Sequence, residues 1–98
     1  MKYKVCTSFW SRTRGFIGLK EPVDYALFFP KEKCVHMFFM HIPLLIVALD
    51  AEQRVLDAYV LKPWQVGKWH AKAAAILEVS DLRFIKHFYP GKKVILKK

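Results

Sequence analysis

A chain of 98 residues carrying a net charge of +9 is about one domain long and can bury one core. Its 54% hydrophobic and 15% aromatic content excludes a disordered chain. The longest apolar run, Ile42 to Leu49, falls far short of the roughly 20 residues of a membrane-spanning helix.

Tyr3 to Cys6 reads as a short extended segment. The lysines at 2 and 4, then Thr7 and Ser8, interrupt any signal-peptide core, so a cytoplasmic location is expected. Thr7 and Ser8 are N-cap residues, and Phe9, Thr13, Phe16 and Ile17 follow at helical spacing, which predicts a short N-terminal helix near Ser8 to Phe16 stopped by Gly15 or Gly18. Tyr25 to Phe29, closed by Pro30, and Cys34 to Met40, ahead of Pro43, read as strands. Leu44 to Asp50 is nearly continuously apolar and predicts a central strand covered on both faces. The polar stretch Asp50 to Gln53 then turns into a strand from Arg54 to Leu61, making a hairpin. Pro63 and Gly67 mark Lys62 to Ala71 as a loop. Ala73 to Val79 is taken as a strand, although its three alanines favour helix. Ser80 or Asp81 caps a short C-terminal helix through His87, and Lys93 to Lys97 completes the set. Six to seven short strands with an N-terminal and a short C-terminal helix predict a mainly β, single-domain, closed or half-open barrel-like sheet that hides its edges.

The order of motifs resembles the family catalogued as domain of unknown function 192. Arg12 to Gly18 is similar to its Arg-rich helix ending in Gly-Leu-Met, and Tyr25 to Phe29 to its apolar strand ending in Phe. Phe38-Phe39-Met40 resembles Phe-Trp-Met. Ile42-Pro43-Leu44 with Ala48-Leu49-Asp50 resembles its Pro-Leu-Asp strand, Leu61 to Trp64 a Pro-centred segment, and Ile76 to Val79 the Val-Leu-Glu-Leu strand. The departures are polar: Lys-Asn-Thr after Phe-Trp-Met is missing, Leu45 stands where Asp is expected, and Gly91-Lys92 replaces a Gly-Asp turn. The resemblance implies a compact, β-rich, barrel-like fold and supplies no activity.

Three constellations invite chemistry. As a strand, Cys34 to Met40 puts Cys34, His36, Phe38 and Met40 on one face, with His41 nearby; thiolate, imidazole and thioether suit a soft metal, a redox centre or a small ligand. The competing reading is ordinary core filling. Glu78 alternates with Ala74 and Ile76, so its carboxylate points inward and needs a partner; Arg12 or Arg14 is expected to supply a structural ion pair, against the alternative of a strand-end glutamate in water. Finally, Lys62, Trp64, Lys68, Trp69 and Lys72 interleave cations with aromatics. Residues 62–98 hold nine basic and two acidic side chains, so Arg83, Lys86, Lys92 and Lys93 are expected to extend this set into one basic face for RNA or single-stranded DNA. The competing reading has the tryptophans closing the core while the lysines confer solubility. No phosphate loop, nucleophile elbow, paired-carboxylate motif or metalloprotease motif occurs, so a binding or accessory module is favoured over an enzyme and no cofactor is expected; the short apolar runs lead to no membrane partner being expected. Cys6 and Cys34 read as two free thiols, with a bridge between strands as the alternative. The lack of Asn and the presence of only two Gln slightly favour a thermophilic source.

Overall fold

The computed structural model describes residues 2–7 and 15–96. Among them, five strands form one mixed sheet: β1 Lys2–Val5, β2 Tyr25–Pro30, β3 Leu44–Leu49, β4 Val55–Leu61 and β5 Ala75–Val79. Their order is β1-β2-β5-β3-β4. β1 lies parallel to β2, and the other neighbouring pairs are antiparallel. A 3-10 helix, Leu82–His87, follows β5 and is capped by Asp81, whose side chain accepts the Arg83 N–H.

All six residues of β3 and all five of β5 are buried. Both strands sit inside the sheet with both faces covered, which explains why β3 reads as a continuous apolar run. Side chains alternate between two cores. Leu27, Phe29, Leu44, Ile46 and Ile76 face one side, where Phe16, Met37, Met40, Leu61 and Ala73 cover them. Ala26, Leu45, Val47, Leu77 and Val79 face the other, beneath Phe88 and Val94 with Leu82 and Phe84. The β3–β4 hairpin forms as expected. The Asp50 carboxylate accepts N–H bonds from Glu52 and Arg54 at 2.9 and 2.8 Å, pinning the turn.

The expected barrel does not form. β1 and β4 are the two sheet edges and do not pair. Non-repetitive chain laid over each face hides the apolar strands without closure, and Gly91 and Lys92 bond to Val55 at the β4 edge. The sheet has five strands rather than six or seven, because two expected strands are not strands. Cys34 to Met40 folds as a turn-rich crossing with a single bridge, His36 to Val66; of the expected strand Lys93 to Lys97, whose last residue lies outside the described range, the described residues make only the bridge of Lys93 to Arg54. No N-terminal helix occurs among the described residues: Gly15 and Phe16 lie in a turn, and residues 8–14 of that expected helix lie outside the described range. The C-terminal helix is a 3-10 helix. Asp81 caps it, while Ser80 is buried and bonds both the N–H and the carbonyl of Val23.

Candidate functional site

The loop after β4 and the crossing after β2 are laced together by backbone. Met37 N–H donates to Gln65 O and Trp64 N–H to Met37 O, each at 2.7 Å, and Gly67 N–H to Val35 O at 2.7 Å. His70 N–H reaches Lys33 O at 3.0 Å. Met37 and Met40 plug the core beneath, 0% and 6% exposed. A turn links Met37 O to Met40 N–H, so Phe38 and Phe39, carried between the two anchors, are thrown outward.

The result is an aromatic shelf. Phe39 and Trp64 are 64% and 60% exposed, their ring centroids 5.0 Å apart. Phe38 stacks on His36 at 4.7 Å and lies 6.2 Å from Trp64. Val66 and Trp69 are also exposed. Phe39 and Trp64 both adopt left-handed backbone, φ 65° and 71°, a conformation that bulky residues rarely take.

The loop is fastened to β4. Tyr59 Oη accepts the Lys68 N–H at 2.9 Å. Asp57 Oδ2 lies 3.4 Å from Lys68 Nζ and 3.2 Å from His70 Nε2. Despite this proximity the buried Nε2 of His70 makes no hydrogen bond. Burial pushes the Tyr59 hydroxyl above its ordinary range, partly offset by the Lys68 N–H. Asp57 and Tyr59 are absent from the sequence-derived set. Their signal was two polar side chains two apart on a strand, next to a basic loop.

The nine expected cationic and aromatic residues fall into two groups. Lys62, Trp64, Lys68, Trp69 and Lys72 belong to the layer over the Met37 core. Arg83, Lys86, Lys92 and Lys93 belong to the layer over the Phe88 core, on the opposite side of the sheet. Arg83 is engaged with Asp81 at 2.7 Å. The expected ligand set is also dispersed in environment. Met40 is in the core, His36 and His41 are exposed, and Cys34 is half-buried with its thiol donating to Gly67 O at 3.2 Å. Among the described residues no three His, Cys, Asp or Glu side chains stand together to hold a metal ion. Cys6 and Cys34 are free thiols.

Glu78 is buried, 6% exposed, between Leu27 and Ile46 on its neighbouring strands. Its Oε1 would lie 3.3 Å from a β-carbon at Gly15. Burial drives its pKa up to about 8. Burial, and then the Glu78 charge, raises the Cys6 thiol, with Lys4 opposing. The arginines expected to pair with Glu78, Arg12 and Arg14, lie outside the described residues.

The fold is thus a five-stranded mixed sheet covered on both faces, with an aromatic shelf on one of them. No family model matches the chain. It is 34% identical over 83 residues to a UPF0127 protein of Thermococcus kodakarensis, covering 79% of this chain and 52% of that one. It is 34% identical over 70 residues to a UPF0127 protein of Thermococcus sibiricus, covering 65% and 45%. The chain therefore spans about half the length of these relatives. A crystal structure of a protein of unknown function from Novosphingobium aromaticivorans has the same fold, with a TM-score of 0.76 at 19% identity, covering 93% of this chain and 71% of that one. None of these names states an activity, so the likeness carries fold and no chemistry. No helix among the described residues is long and apolar enough to cross a membrane.

Proposed function

We propose that the protein is a small binding module whose aromatic shelf holds single-stranded nucleic acid, with Phe39 and Trp64 stacking on bases and Lys62 and Lys72 meeting phosphates. One observation carries the reading: two bulky rings are held 5.0 Å apart in solvent, both on left-handed backbone. Each such backbone costs on the order of 1–3 kcal/mol. Leaving a ring exposed forgoes roughly 1.5–3 kcal/mol of burial. A chain selected only for a core would do neither. Base–aromatic stacking contributes about 1–3 kcal/mol per base, and a net charge of +9 attracts a polyanion. The nearby Asp57 is already paired with Lys68, which limits its repulsion of phosphate.

The order of motifs supports membership of the domain of unknown function 192 family, in keeping with the UPF0127 relatives. A cytoplasmic setting suits two free thiols, and a thermophilic source suits the two Thermococcus matches.

Tryptophan emission followed during titration with single-stranded DNA tests the function. Emission is expected to quench, with affinity falling as salt rises. Unchanged emission at low salt, or salt-indifferent affinity, overturns the proposal.

A further inference from the structure

The opposite face of the sheet carries a groove of its own. Between the 3-10 helix and the segment that bridges to Arg54 lies a groove of about 220 Å³. Phe88, 7% exposed, belongs to the core beneath it. Phe84, packed against the His87 ring at 5.7 Å, and Ile95, 69% exposed, contribute further apolar surface. The polar side chains that line it are His87, Lys92 and Lys93, and no acid among the described residues joins them.

We propose that this groove binds a small amphipathic anion: a compact apolar body, aromatic by preference, bearing one carboxylate or similar anionic group. The apolar surface asks for a ring or short hydrocarbon, and water there is readily displaced. The surrounding cations ask for one negative charge and penalise a positive one. The volume lies below the ~300–1,000 Å³ of pockets for drug-sized ligands, which suits an occupant about the size of a single substituted ring. A polyanion fits poorly, because the groove offers apolar surface rather than a track of phosphate partners. The inference does not rest on the aromatic shelf, which lies on the other side of the sheet.

Benzoate is the probe, followed by amide chemical-shift changes in the labelled protein at low salt. Saturable shifts at Phe88, Lys93 and Ile95 are expected, together with weakening of about tenfold or more in Lys93→Gln. His87→Gln and Ile95→Ser are expected to weaken binding several-fold. All three positions are exposed, so the variants are expected to fold. Two controls define the chemistry: benzyl alcohol lacks the charge and inorganic phosphate lacks the apolar body, and each should bind at least tenfold more weakly. Absence of saturable shifts, equal binding of either control, or undiminished affinity in all three variants overturns the proposal.

Discussion

The Tyr59 hydroxyl occupies the place of a side chain that Gly67 lacks: a β-carbon there would fall 2.7 Å from the phenol oxygen and 3.0 Å from the carbonyl of Val35. The phenol in turn accepts the Lys68 N–H, so one glycine lets the shelf-bearing loop lie flat on β4. Gly67→Ala should therefore lower stability by about 1–3 kcal/mol. Tyr59→Phe alone should cost about 1 kcal/mol, the net worth of one hydrogen bond. Because removing the phenol oxygen relieves one of the two clashes, the double variant should be less destabilised than the sum of the singles. Urea denaturation of the four proteins checks this, and strict additivity would show that the loop has another anchor.

Phe39 gives a prediction of opposite sign for stability and binding. At φ 65° glycine is unstrained. Phe39→Gly should leave stability unchanged or raise it by up to about 1 kcal/mol, while weakening single-stranded DNA by about tenfold. Trp64→Ala should weaken it comparably. A melting temperature and an oligonucleotide titration on the same samples decide it. Loss of stability with binding intact would make the shelf a structural cover.

Glu78 sets a pH dependence. Its folded pKa of about 8 lies above the ordinary 4.5. Below about pH 4.5 folded and unfolded chains both hold the proton, and the carboxyl costs nothing extra. Between about 4.5 and 8 only the folded chain keeps it, so this group's contribution to stability falls as pH rises, by at most about 1.4 kcal/mol per pH unit, and levels off above 8. Glu78→Gln should flatten that descent and melt no lower than the parent at pH 8. A variant that melts markedly lower at pH 7 would instead assign Glu78 to the ion pair with Arg12 or Arg14.

Asp57 joins Lys68 and His70 to the edge strand. Asp57→Asn should cost up to about 1 kcal/mol in urea denaturation at low salt, and less as salt screens the pair with Lys68. A loss indifferent to salt would remove Lys68 from the clasp.

Much of the sheet was legible in the sequence because burial on two faces leaves an unambiguous mark. Leu44 to Leu49 could only be central, and Asp50 to Gln53 could only turn. Closure was not legible. Whether a sheet hides its edges by joining them or by wearing loops depends on which distant segments lie across it, and periodicity carries no such information. The Cys34 to Met40 stretch misled for the same reason. Its apolar content reflects two methionines plugging the core and two phenylalanines leaving it, at a spacing that local alternation mistakes for a strand. The basic residues were readable one by one, but their division between two faces was decided by the sheet running between them.

Among the described residues, the strand latest in chain order occupies the middle of the sheet, since β5 separates β2 from β3. On the ribosome, therefore, β2 waits without its antiparallel partner, and the hairpin of β3 and β4 presents an apolar flank to solvent until residue 79 leaves the exit tunnel. Nascent chains stalled before that point should recruit chaperones, and those released after it should not.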